Sequence, residues 1–156
     1  MYTFISKNEQ ETIKLARSIA PDLKNGNIII LSGNLGSGKT KFTQGILSYF
    51  GLDEEISSPT FTIVNEYNNN SNTIYHFDVY RLNSIDEFYS IGGEEYFDKG
   101  ICIIEWGELI LDALPPNYIH IQFERNLEHI QQRILNINIV GDINKNIIQT
   151  LERICK

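Results

Sequence analysis

The residues best spaced to do chemistry are Gly33-Asn34-Leu35-Gly36-Ser37-Gly38-Lys39-Thr40, followed by Lys41. Two glycines with four residues between them, Gly33 and Gly38, followed by Lys-Thr, make the Walker A pattern of a phosphate-binding loop. Gly33, Gly36 and Gly38 permit backbone turns that residues with a Cβ resist, so successive N–H groups can aim inward at phosphate oxygens. A helix opening near Lys39 adds unsatisfied amides and the positive end of its dipole. In such a loop the lysine reaches the β- and γ-phosphates and the Thr40 hydroxyl ligates Mg²⁺. At ordinary residue frequencies a chance match in a chain this long is on the order of one per cent.

A second set of candidates lies downstream. Ile101-Cys102-Ile103-Ile104 runs into Glu105, an apolar strand ending in a carboxylate, as in a Walker B acid near the metal. Glu108 reads instead as the start of the next helix, where a negative charge suits the dipole. Period-two spacing places His76, Asp78 and Tyr80 on one face of a strand, and Asp78 becomes a candidate to position water or support a Mg²⁺ ligand. Arg81, at that strand's end, is placed to meet phosphate or a partner carboxylate. Ser58-Pro59-Thr60 is a polar, Pro-set loop after the P-loop helix, the position of a γ-phosphate switch. Trp106 either wedges the loop after Glu105 or serves as a lid or partner contact. Arg125 and Arg133, flanking the last turn, are candidate nucleotide contacts. Glu9 and Thr12 read as ordinary helix-surface residues unless chain entry brings them to the adenine.

These side chains need elements to hold them. Ile28–Leu31 is a buried strand feeding the loop, and Phe42, Ile46 and Phe50 give the following helix its apolar face, with Gly51 as its stop. Tyr2–Ile5 reads as a strand, and Ser6-Lys-Asn-Glu9 as a capping box opening a helix that buries Ile13, Ala16 and Ala20. Phe61–Tyr67 and Thr73–Tyr80 form a hairpin around Asn68–Asn72, and Ser84-Ile-Asp-Glu87 is a second capping box. Tyr118–Phe123 and Ile134–Val140 alternate as further strands, before a helix over roughly 143–154 that buries Ile147, Leu151 and Ile154. His120 and His129 read as surface residues. The pattern predicts an α/β, P-loop NTPase-like three-layer domain with a central mixed sheet flanked by helices, one P-loop ATPase domain over residues 1–156.

Composition narrows the partners. Thirteen basic against 20 acidic residues leave a net charge of −7, without the basic footprint of a protein that grips nucleic acid by itself. Cys102 and Cys155 have neither metal-ligand spacing nor a disulfide framework. No apolar run approaches a membrane span or a signal region, so the expected address is the cytoplasm, away from any membrane.

A Walker A loop does not name the reaction. A small-molecule P-loop kinase would bring an Arg-bearing lid, whereas the five arginines here are scattered at 17, 81, 125, 133 and 153. A GTPase would carry DxxG and Asn-Lys-x-Asp. The first is absent, and Asn144-Lys-Asn-Ile147 lacks the Asp, which favours ATP. The remaining class is a switch ATPase acting on another protein, with the kinase as the alternative.

Gly33–Thr40, Ser58-Pro-Thr-Phe-Thr-Ile-Val64, Tyr75-His-Phe-Asp-Val-Tyr-Arg-Leu82 and Ile104-Glu-Trp-Gly-Glu108, in that order, resemble the bacterial TsaE family. The resemblance covers about Ser6 to Leu114 and is looser beyond. It implies a weak ATPase needed for threonylcarbamoyladenosine at position 37 of tRNAs reading codons beginning with A. Such a protein binds the TsaD–TsaB pair, meets tRNA only through them, and does not itself transfer the threonylcarbamoyl group. By the same resemblance Leu35 to Lys41 wrap the phosphates of ATP, Thr40 and Glu105 hold Mg²⁺, Asp78 assists hydrolysis, and Ser58–Thr60 is the switch loop. The family usually has Pro after the Trp, where this chain has Gly107.

Overall fold

Isoleucine-rich runs bounded by turn residues lose least by being buried on both faces of a sheet, and two such runs form its centre. The computed structural model describes residues 1–53 and 63–155. Seven strands are present: β1 (Tyr2–Ser6), β2 (Ile28–Ser32), β3 (Val64–Asn68), β4 (Thr73–Asp78), β5 (Ile101–Glu105), β6 (Tyr118–Arg125) and β7 (Arg133–Val140). They lie in the order β1-β7-β6-β2-β5-β4-β3. β2 runs parallel to both neighbours, with Leu31 opposite Glu105 and Ile121, and β4 runs parallel to β5, while β1·β7, β6·β7 and β3·β4 are antiparallel. Every residue of β2 and β5 is buried.

Alternation along β2 divides the core into two layers. Ile29 and Leu31 pack with helices α1 (Glu9–Ile19), α2 (Lys39–Tyr49) and, through Ile147 and Leu151, α4 (Lys145–Ile154). Ile28 and Ile30 face the other way, onto Phe88 of α3 (Ile85–Ser90), Phe97 and Ile110. Helices α1 and α2 cross where Gly45 meets Ala16: a Cβ at Gly45 would stand 2.6 Å from the Ala16 Cβ and from the Ile13 carbonyl oxygen. That close crossing sets the first turn of α1 beside the first turn of α2, where Lys41 and Glu9 form an ion pair at 3.7 Å.

The architecture is the one the pattern predicts, with local differences. α1 starts two residues later than its Ser-x-x-Glu box suggests. Asn8 is the cap, accepting from the Glu11 amide at 3.0 Å, while the Glu11 carboxylate accepts from the Lys7 amide at 2.7 Å. Ser6 cannot cap because it is buried in β1, its hydroxyl bonded to the Asn8 carbonyl and to the Thr12 hydroxyl. At α3, Ser84 occupies the cap position without a side-chain bond, and Glu87 instead accepts from the amide of Asn83. β4 stops at Asp78, whose carboxylate accepts from the Tyr80 amide and folds residues 79–81 into a 3₁₀ turn. Tyr80 therefore does not share the face of His76 and Asp78. The segment after β5, Gly107–Ala113, is 3₁₀ rather than α-helical. Among the described residues no helix is long and apolar enough to cross a membrane.

Candidate nucleotide site

The buried strand β2 ends at Ser32, and the chain turns through Gly33, Gly36 and Gly38, all at positive φ, into α2. Gly33 is required twice over: φ is +146°, and a Cβ would lie 2.8 Å from the Phe123 carbonyl oxygen and from Ser37 Oγ. Gly38 caps α2 with no side-chain hydrogen bond, so the first amides of that helix have no side-chain acceptor. Ser37 Oγ is buried and without a partner. A loop of this shape, with exposed amides at a helix mouth and an orphaned hydroxyl, fits a phosphate chain. Asn34, Leu35, Gly36 and Thr40 are exposed along the loop and Lys41 is half-exposed beside them.

Lys39 is only 5% exposed. Its ammonium donates to the Gly33 carbonyl and lies 3.7 Å from the centre of the Trp106 ring. Burial lowers its pKa below the ordinary lysine value, while Glu105, Glu108 and Asp78 act in the opposite direction. Trp106 stands at φ +64°, a left-handed conformation costly for a residue with a Cβ, held by the hydrogen bond its amide donates to the Leu31 carbonyl at 2.8 Å and by a tilted ring contact with Tyr80 at 4.8 Å between centroids. Just after it, a Cβ on Gly107 would collide with Ile30 Cγ2, so the isoleucine occupies the space a larger residue here would need.

Parallel pairing of β4 with β5 puts Asp78 directly opposite Glu105. Glu105 is 9% exposed and accepts a 2.6 Å bond from His76 Nε2, which fixes its carboxylate. Nothing in the sequence marks His76 beyond its place on a strand face two residues before Asp78. Among the described residues no group of three or more His, Cys, Asp or Glu could hold a metal ion. A hard cation such as Mg²⁺ takes one or two carboxylates together with substrate phosphates and water, and needs no cage of side chains. Arg81 is exposed at the end of its 3₁₀ turn. Ser58, Pro59 and Thr60 lie outside the described residues.

One histidine departs from expectation. His120 is not a surface residue: it is half-buried on β6 and shares a 2.7 Å hydrogen bond with Ser32, and burial lowers its pKa despite Glu108. Glu108 stands in the first turn of the 3₁₀ segment after β5, as its place in the sequence predicts, half-buried and with Oε1 buried and unpartnered. His129 is exposed, as expected.

On the other flank of the loop is a cleft of about 360 Å³. It is lined by the cap residue Asn8, by Glu9 and Thr12 of α1, by Gly36, Gly38 and Lys41 of the loop and α2, and by Ile130 and Arg133. The Ala16–Gly45 crossing thus brings Glu9 and Thr12 to the loop, a juxtaposition that only the packing of α1 on α2 creates. Arg125 donates to the Leu35 carbonyl at 3.1 Å and Arg133 to that of Gly36 at 3.4 Å.

A central mixed sheet between two helical layers, with a Gly-rich turn joining its buried middle strand to a helix, is a P-loop NTPase-like fold. Residues 6–134 match the family model described as threonylcarbamoyl adenosine biosynthesis protein TsaE. The chain is 43% identical over 121 residues to the tRNA threonylcarbamoyladenosine biosynthesis protein TsaE of Rickettsia felis, covering 77% of this chain and 71% of that one. It is 37% identical over 147 residues to the protein of the same name from Bacillus subtilis, covering 94% and 90%. The crystal structure of Bacillus subtilis YdiB superposes with a TM-score of 0.77 at 33% identity, over 97% of this chain and 93% of that one. The chain belongs to the TsaE family.

Proposed function

We propose that this protein is the Mg²⁺-dependent ATPase of threonylcarbamoyladenosine biosynthesis. Its ATP cycle acts on a TsaD–TsaB pair that modifies adenosine 37 of tRNAs reading codons beginning with A. The observation that carries the nucleotide assignment is the turn from Gly33 to Lys39 at the mouth of α2, beside the Asp78–Glu105 pair. Family membership supports the pathway.

On this reading Gly33 to Lys41 bind the triphosphate: amides of the loop and of the first turn of α2 donate to phosphate oxygens, and Ser37 Oγ gains an acceptor. Lys39 leaves the Gly33 carbonyl and the Trp106 ring for phosphate, exchanging a neutral acceptor and a ring face for a full negative charge. Thr40 and Glu105 would hold Mg²⁺, which would supply neutralisation of charge on the phosphates. His76 keeps the Glu105 carboxylate in place, and Asp78 orients the attacking water. The Ser58–Thr60 loop senses the γ-phosphate, and Trp106 with Arg81 conveys nucleotide state to the partners. The cleft beside Thr12 and Ile130 takes the adenosine. With a net charge of −7 the protein leaves tRNA to TsaD and TsaB.

The test is phosphate release from Mg-ATP by the purified chain, alone and with TsaD–TsaB. Slow turnover that rises with the pair is the expected result. Fast turnover alone, or transfer of phosphate to a nucleoside or other small acceptor, would replace this reading with that of a small-molecule kinase.

A further inference from the structure

Arg133 opens β7 directly opposite Arg125 of β6, so two guanidinium groups stand side by side at the top of the last hairpin. Arg133 turns back towards the loop. Its Nη1 donates to the carbonyls of Ile130 and Gln132 at 2.6 and 2.9 Å, its Nη2 donates to Gly36, and its Nε is buried with no partner. No described carboxylate forms an ion pair with Arg133, whose hydrogen bonds among the described residues go to carbonyl oxygens. A guanidinium held against carbonyls, with two of its five N–H donors left over, gains from an anion in the adjoining cleft.

Position decides which anion. Lys39, Asp78 and Glu105 lie on the β5 and β4 side of β2, whereas Arg133 and the cleft lie on the β6 and β7 side. A phosphate chain with its reacting end near Asp78 and Glu105 leaves its other end by Arg133. Lys41 lines the same cleft, but Glu9 already partners it. We infer that Arg133 binds the ribose-proximal phosphate of the nucleotide and so anchors ADP and ATP alike, apart from the hydrolytic machinery. This inference rests on the nucleotide reading proposed above and adds to it a residue that the Walker motifs do not contain.

The experiment is calorimetric titration of Mg-ATP and Mg-ADP into the wild type, Arg133→Gln, Arg133→Lys and Arg125→Gln, each checked by thermal melting. Loss of a charged hydrogen-bonding partner predicts that Arg133→Gln weakens both nucleotides by about 10- to 100-fold, in equal measure. Arg133→Lys, which keeps a cation, falls between; it carries the test if the Gln variant does not fold. Arg125→Gln loses much less, since its side chain is exposed and already committed to Leu35. ADP affinity of Arg133→Gln close to that of the wild type would overturn the inference. So would equal losses in both arginine variants, which mark a mere tether between hairpin and loop. Loss confined to ATP would place the arginine at the γ-phosphate instead. A wild type that binds neither nucleotide defeats the nucleotide reading itself, an outcome distinct from all of these.

Discussion

Replacing Lys39 by Met separates what the lysine does for the fold from what it does for the ligand. In the folded chain the ammonium is 5% exposed, bonded to the Gly33 carbonyl and seated on the Trp106 ring at 3.7 Å. A hydrogen bond from a charged donor contributes about 1.5–3 kcal/mol, and a desolvated cation–π contact about 2 kcal/mol. Removing such a cation from water costs several kcal/mol, which offsets most of that gain. Methionine keeps the apolar stem and needs no partner. Lys39→Met is therefore expected to change the stability of the free protein by no more than about 1 kcal/mol either way, a shift of roughly 2–4 °C for a domain of this size. Nucleotide should tell the two apart sharply. With Mg-ATP at a hundred times its dissociation constant the wild type gains about 2.7 kcal/mol, and the variant, without its phosphate ligand, should gain almost nothing. Thermal melts with and without Mg-ATP, supported by urea titration, measure both quantities. A loss of 3 kcal/mol or more in the free variant would show that Lys39 holds the loop together rather than waiting for phosphate. An undiminished response to Mg-ATP would refute the assignment of the loop.

Asp78→Ala should leave nucleotide affinity nearly intact while slowing phosphate release, a split measured by titration against single-turnover hydrolysis; equal losses in both would make Asp78 part of binding. His120, whose pKa burial lowers from its ordinary 6.5, is proton-poor in the folded state. As pH falls through 6.5 the unfolded chain takes up a proton that the folded chain does not. Stability should therefore decline below pH 6.5 until the lowered value is reached, and His120→Gln should flatten that part of the profile in denaturant titrations at stepped pH. Gly107→Ala drives a methyl group into Ile30 and should cost about 1–3 kcal/mol. Combined with Ile30→Ala, which vacates that space, the two losses should sum to less than their separate values, and strict additivity would mean that the two positions do not touch.

The sequence alone determined what depends on local pattern. Four β-branched or aliphatic residues running into Gly33-x4-Gly38-Lys39-Thr40 dictate strand, turn and helix, because glycine placement and apolar periodicity act within a few residues. The carboxylate ending β5 and the pairing of the hairpin strands are legible for the same reason, and so is the family, since its motifs follow one another in order. Boundaries were less legible: Asn8 displaced Ser6 as a helix cap once β1 pairing had buried the serine, and the Asp78–Tyr80 bond ended β4 early. Tertiary structure decided everything that needs residues far apart in the chain to meet. Register between β4 and β5 set Asp78 against Glu105, and β2 beside β6 gave Ser32 its histidine. The close crossing at Ala16 and Gly45 carried Glu9 and Thr12 to the loop, and the hairpin brought Arg133 there from nearly a hundred residues away. Such contacts depend on strand order and on which surfaces pack, and no short-range spacing in the sequence encodes either.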